Sequence, residues 1–368
     1  MRISRSSILV AAAALVATPV LVTSCVVPSP SPGTGAALNA VAAVNATTAW
    51  AVGKFNDSTG SHELMERWNG KTWQEVFLPP PIGTSLSAVT AVSGSNVWAV
   101  GSRRTLHFGG LGWRSIPNPA GIAMYDVAGA ADAAVYGLGR NGTNADSLWL
   151  MTAGGWRTVS AIPAATLPQT CDVSKGATNL AVLKAGDVWL VGNGKQVGSN
   201  QSCIAALHWN GTAWQSSTTP TIVGASLAAV SARAANDVWA VGETVTRDQQ
   251  LGVTFESCLA LHWNGTTWTS VPVRGSGFLR DVDASGAGVW AVGTALVGSG
   301  FPVGMLIVKW DGKALVRQTV QALPTAGSVE DNSNLSGVSV RAGVVTSVGN
   351  YMPRPNVLAT LTERRNAG

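Results

Sequence analysis

The chain reads as an all-β repeat protein built from seven four-stranded units, and three observations predict this. A short strand ending in glycine recurs seven times. It is spelled Trp-Ala-Val-Gly or Trp-Leu-Val-Gly at Trp50–Gly53, Trp98–Gly101, Trp189–Gly192, Trp239–Gly242 and Trp290–Gly293, with weaker copies at Tyr136–Gly139 and Thr346–Gly349. The glycines stand 38 to 56 residues apart, a period at which each unit is too small to bury its own faces and must stack on its neighbours. A hairpin signal recurs in step, as Asn69-Gly70, Asn210-Gly211 and Asn264-Gly265, with Asp311-Gly312 and Gly109-Gly110 as equivalents; a two-residue turn there needs positive φ at both positions. Fourteen of the fifteen tryptophans occupy three repeat positions, and only Trp149 is off pattern.

Residues 227–273 show one unit in full: an apolar arm from Leu227, then Asn236 to Gly242, a polar loop, Cys258 to Trp263, the Asn264-Gly265 turn and Thr266 to Pro272. Within Val-Trp-Ala-Val-Gly, alternation places Trp and the second Val on one face and the small residues on the other. A strand apolar on both faces must be covered on both. A bulky face laid against a neighbour's small one packs identical units at normal interior density. The tryptophans are therefore expected to pack between sheets.

These repeats resemble the β-propeller superfamily, specifically bacterial Trp-rich repeats of kelch or galactose-oxidase-like type, over residues 38–368. The segment Trp263-Asn264-Gly265-Thr266-Thr267-Trp268 also looks like a shortened Asp-box, the turn motif of sialidase-type propellers. The resemblance implies seven blades around a central channel but carries no activity. Asp-boxes are structural turns, and the copper-ligand tyrosines and histidines of galactose oxidase have no recognisable counterparts here. The last copy, Glu363-Arg364-Arg365-Asn366-Ala367-Gly368, aligns with Glu66-Arg67-Trp68-Asn69-Gly70 and stops at the turn. The expectation is a three-stranded last blade, or a short irregular edge pairing by residues 33–37.

Residues 1–24 read as an export leader, with Arg2 and Arg5 ahead of an apolar run from Ile8 to Val22. Val22-Thr23-Ser24-Cys25 resembles a bacterial lipobox, which implies that Cys25 becomes the lipidated first residue. Residues 25–37, rich in Pro, Ser and Gly, suit an extended tether. The expected product is exported, lipid-anchored to the outer side of the bacterial cell membrane, and monomeric. Loss of the leader lowers the formal charge from +5 to +3 without leaving a basic stripe, so nucleic-acid binding is not expected.

Charged residues make up only 12% of the chain, and the common nucleophile, zinc, calcium and Cys-x-x-Cys motifs are missing from it. No catalytic residue, metal or cofactor is predicted. His107, His208 and His262 share one repeat position and read as solvated flanks, while Asp187 and Asp237 read as turn residues. Asp281 and Asp283, beside Arg280 on an innermost strand, fall on one side of that strand. They could face the channel and bind a cation or sugar, or form an Arg–Asp structural pair.

Blades four, five and six have the longest second-to-third-strand loops, at 193–203, 243–257 and 294–305. Uneven loops on a rigid scaffold are where recognition develops, which makes Arg247, Asp248, Gln249, Gln250, Phe255 and Phe301 the candidate contacts. Cys171 and Cys203 fall at one end of one sheet, within disulfide reach, and Cys258 is left as a buried thiol. The reading is a non-catalytic module that binds a protein or glycan on its long-loop face. The alternatives are an enzyme of sialidase, lyase or oxidase type at the channel mouth, or a lectin using the hairpin tryptophans.

Overall fold

The computed structural model describes the chain except for residues 1–24, 28, 81, 166–169, 200, 248–249, 251–253, 298–300, 321–332 and 355–356. The described residues form seven sheets and no helix, antiparallel but for a short parallel pairing of Val273–Arg274 with Leu315–Arg317 in blade six, a seven-bladed β-propeller. Blade one runs outward through Thr34–Asn45, Thr48–Asp57, Gly60–Trp68 and Trp73–Glu75. The innermost strands of the next six blades are Leu86–Ser93, Ile122–Gly129, Ala177–Lys184, Ala225–Ala234, Gly277–Ser285 and Asn334–Arg341. That of blade seven packs beside that of blade one, which closes the ring.

The motif glycine has a steric cause. It lies opposite a bulge in the inner strand, where Leu38 and Ala40 face Gly53 and Val52, and Leu227 and Ala229 face Gly242 and Val241. A methyl group on Gly53, Gly242 or Gly293 would stand 1.9–2.0 Å from the carbonyl oxygen of Ala37, Ser226 or Phe278. No side chain fits there.

The hairpin turn is longer than expected. Trp68 pairs with Trp73 and Trp263 with Trp268, so four residues turn rather than two, and the glycine alone takes a positive φ. The preceding side chain holds the loop. Asn69 accepts from the N–H groups of Lys71 and Thr72, Asn264 from those of Thr266 and Thr267, and Asp311 from those of Lys313 and Ala314.

Between blades the large face meets the small one. Trp50, Val52 and Met65 pack on Leu86, Val97, Ala99 and Leu106 of blade two, while Ala49 and Ala51 turn toward Val348 of blade seven. Trp50 meets Trp113 edge-on at 5.1 Å, Trp189 lies 5.4 Å from Trp263, and Trp239 lies 5.0 Å from Trp310. Opposite each indole on the third strand stands a cation or imidazole: Arg67 over Trp50, His107 on Trp98, His208 on Trp189, His262 near Trp239 and Lys309 over Trp290. The histidines are therefore not simply solvated flanks. Each is half-buried on its indole and bonded to Asn96, Asp187 or Asp237 at 3.0, 2.8 and 3.1 Å. The off-pattern Trp149 fills the interface between blades two and three, while Tyr136 takes the usual tryptophan place between blades three and four.

Blade seven corrects the expectation of three strands. Its fourth strand is Cys25–Val27, antiparallel to Val357–Asn366, with Cys25 opposite Arg364, Val26 opposite Glu363 and Val27 opposite Thr362. Three residues suffice because Val26 and Val27 favour strand and precede the prolines. The stretch expected to be a tether, 25–37, is built into the ring at both ends. Ser29 and Ser31 bond Thr360 at 2.7 and 2.9 Å, and the first strand of blade one starts at Thr34.

This closing seam is the most polar of the seven. Thr346 replaces the motif tryptophan, and Arg364 lies 4.4 Å over Trp68 while donating to the Ala46 carbonyl. Glu66 occupies the place that Leu106, Leu207 and Leu261 hold elsewhere; it is fully buried, and no hydrogen bond meets either carboxylate oxygen. Burial pushes its carboxyl from 4.5 up to about 8; the nearby Ser29 hydroxyl, which donates to Thr360 instead, pulls it down less, and Glu75 adds a little. Between those two values the folded chain keeps a proton that the unfolded chain has released. The Glu66 contribution to stability is therefore greatest below pH 4.5 and falls as pH rises toward 8, by roughly 1.4 kcal/mol per unit. Glu66→Leu should remove one proton's share of that slope and raise the Tm most at pH 8, as followed by thermal denaturation across this range. An unchanged slope would contradict the assignment.

Candidate binding site

The central channel encloses about 250 Å³, but its polar atoms hold the ring together. Thr90, Ser231 and Ser339 each accept an N–H from the inner strand of the following blade, from Gly129, Ala284 and Ala43 at 3.0–3.1 Å. Asn179 accepts from Val230 at 2.8 Å. Asp126 takes the N–H groups of Val127 and Leu180 and the Asn179 amide at 2.8–2.9 Å. Asp281 takes those of Val282 and Val338 at 2.8 Å, and Asp283 takes Val340 at 2.8 Å and the Arg341 guanidinium at 3.2 Å. Burial raises Asp126 and Asp281 to about 7 against the pull of these N–H groups.

The candidate Arg–Asp pair thus has a different partner from the one expected. Arg280 lies 4.2 Å over the Phe278 ring, and Arg341, on the next blade, reaches Asp283. Among the described residues, no group of three or more His, Cys, Asp or Glu converges to hold a metal ion.

The stronger candidate lies between blades four and five, on the face where second-to-third-strand loops and blade connections emerge. A groove of about 710 Å³ is lined there by Asp172, Lys175, Asn193, Lys195, Gly224 and Val245, among others. Asn193 fixes its floor across the blade boundary, accepting the Leu227 N–H at 2.7 Å and donating to the Leu227 carbonyl at 2.9 Å. Gly224, at φ +70°, lets the connection lie against the second strand of blade five, where a Cβ would stand 2.0 Å from the Val245 carbonyl oxygen.

One wall is covalent. Cys171 and Cys203 are disulfide-bonded with Cα atoms 6.0 Å apart, and Cys171–Asp172 pairs with Lys195 and Gln196 as an extra strand of blade four. Val245 lines the groove at 40% exposure, and Val197, Val223 and Phe255, on the adjoining loop, connection and hairpin, are 67%, 82% and 44% exposed. Lys175 and Lys195 stand exposed beside it, and the Ser174 hydroxyl and N–H hold the Asp172 carboxyl below its ordinary value.

Of the sequence-derived contacts, Phe255 and Arg247 stand at the exposed end of the blade-five hairpin, paired with Thr246 and Thr254. Gln250 is exposed beyond them, and Asp248 and Gln249 lie outside the described residues. Phe301 begins the third strand of blade six, opposite Val297, one blade away from the groove. Cys258 is unpaired and half-buried, its thiol pushed up to about 12 by burial, with Glu243 adding to the effect. The loop 193–203 singled out from the sequence supplies Asn193 and Lys195, but sequence reasoning missed Lys175 and Gly224, which lie outside the long loops and converge only through the way blade four meets blade five.

No protein-family model and no curated protein matches the chain. Solved structures do. YCF48 bound to D1 peptide aligns at 13% identity and TM-score 0.55, covering 92% of this chain and 96% of that one. The polysaccharide lyase Uly1 aligns at 10% and 0.57, covering 92% and 90%. The β-propeller domain of the Trilobed protease from Pyrococcus furiosus, described as having an open velcro topology, aligns at 8% and 0.55, covering 91% and 96%. At such identities the likeness establishes the propeller fold alone.

The disulfide closes a loop with a sequence separation of 32, for which chain entropy gives about 2–4 kcal/mol. Cys171→Ser should therefore lower the Tm and speed proteolysis within 196–203, and reductant should do the same to the unaltered chain. A Tm indifferent to both would contradict a structural role for the bond.

Proposed function

We propose that the chain is an exported, lipid-anchored, non-catalytic module that captures a protein partner in the groove between blades four and five. The observation that carries this reading is the groove lined by Val245, Lys175 and Lys195, with the exposed apolar side chains of Val197, Val223 and Phe255 on the loop, connection and hairpin that lead into it. Exposed aliphatic side chains with charges at the margin are the composition of a protein-binding surface. A sugar site would present open aromatic faces, and the motif and hairpin indoles here are buried or half-buried in blade packing.

Support for export comes from the leader at 1–24, the lipobox-like run ending at Cys25, and the Cys171–Cys203 bond, which suits an oxidising compartment. The propeller fold itself does not discriminate, since a propeller binds a peptide in YCF48 and belongs to a polysaccharide lyase in Uly1.

The test is chemical cross-linking on intact cells with the full chain, read by mass spectrometry, alongside a glycan array. The expected outcome is one protein linked through groove residues, at least tenfold less of it with Val223→Asp plus Phe255→Asp, and a silent array. Glycan binding, or cross-linking that ignores both substitutions, would overturn the reading.

A further inference from the structure

The opposite face of the ring carries a second surface, and the position of Cys25 says what it meets. Cys25 pairs with Arg364 two residues before the third strand of blade seven ends. That puts it at the turn end of the blade, on the face away from the blade-four and blade-five groove. No spacer separates it from the fold, because pairing begins at Cys25 itself. A lipid on this sulfur therefore holds the turn face of blade seven at the membrane, since a chain can stand off only by the length of its unpaired residues, about 3.5 Å each.

Three independent features of that face suit a bilayer. A groove of about 710 Å³ opens beside Cys25, lined by Val27, Trp68, Ala287, Val344, Ala367 and the Arg364 stem, among others. Leu111, at the third-to-fourth-strand turn of blade two, is fully exposed there. The exposed charges at the turn ends of blades six, seven, one and two are Lys313, Lys71, Arg67 and Arg114 against Asp311, with Arg341 paired to Asp283. The far side of the same face is balanced, with Asp132, Asp187 and Asp237 against Lys184, Arg233 and Arg157.

We infer that the turn face of blades six, seven, one and two rests on an anionic lipid bilayer. Leu111 inserts among the acyl chains, Lys71 and Lys313 meet lipid phosphates, and the groove beside Cys25 sheathes the anchor where it leaves the protein. The inference rests on lipidation of Cys25 and adds an orientation to it. The capture groove then points away from the membrane.

The test uses the lipidated full chain, with Cys258→Ala, reconstituted into vesicles of phosphatidylglycerol and phosphatidylcholine. A polarity-sensitive fluorophore is placed at Leu111→Cys or at Val223→Cys, and quenching by lipids brominated in their acyl chains is measured. The expected result is strong quenching at 111 and none at 223. Quenching at 111 should weaken by about fivefold per charge on Lys71→Glu and Lys313→Glu, and likewise in phosphatidylcholine alone. Chains that float with the vesicles while the 111 probe reads water would overturn the orientation and leave the anchor standing. Chains that fail to float would overturn the anchor and the orientation with it.

Discussion

The molecule depends on one packing constraint, the fit of an indole-bearing sheet face against the alanine-bearing face of the next sheet. In blade one, Trp50 and Val52 bulge toward blade two, while Ala49 and Ala51 present the recess that blade seven needs. Six of the seven interfaces follow this fit, with Tyr136 for the indole between blades three and four, so the chain builds its core in slices rather than as one. The motif glycine belongs to this scheme. It lets the second strand close on the bulged inner strand, and the bulges leave inner-strand positions free to bond across to the following blade. Packing and hydrogen bonding therefore tie neighbouring blades at both radii, indoles outside and a polar belt at the channel.

A ring made this way has one interface joined by the two ends of the domain rather than by continuous chain, and here it departs from the scheme. Threonine stands in for tryptophan at position 346, and Arg364 fills the space over Trp68. Glu66 takes a leucine position and is buried without a hydrogen-bonding partner. The short strand Cys25–Val27 covers the outside of this interface. The departure from the packing scheme and the one borrowed strand coincide, and that strand begins with Cys25.

The repeat, blade count and inter-blade role of the tryptophans were legible in sequence because they follow from alternation and period, which are local properties. The Cys171 and Cys203 positions were legible for the same reason, since strand order places them at one end of one sheet. The outer strand of blade seven was not. Three residues ahead of a proline-rich run carry too little pattern to mark a strand, and only the vacancy beside Val357–Asn366 selects them. The channel carboxylates were visible as a pair, but their partners, the N–H groups of Val338 and Val340, lie 57 residues away and are set by blade stacking. Groove residues such as Lys175 and Gly224 were hidden likewise, because each looks ordinary until two blades bring them together.

The account stands on closure of the ring by the N-terminal strand. The direct measurement pairs Val27→Cys with Thr362→Cys, which stand opposite one another in the ladder, in a chain whose Cys25 and Cys258 are serine. Facing strand residues lie within disulfide reach. Closure predicts that mild oxidation links the two sites in the folded chain and raises its Tm. Thiols that stay free under oxidant while the chain remains folded would show that the ring closes in some other way.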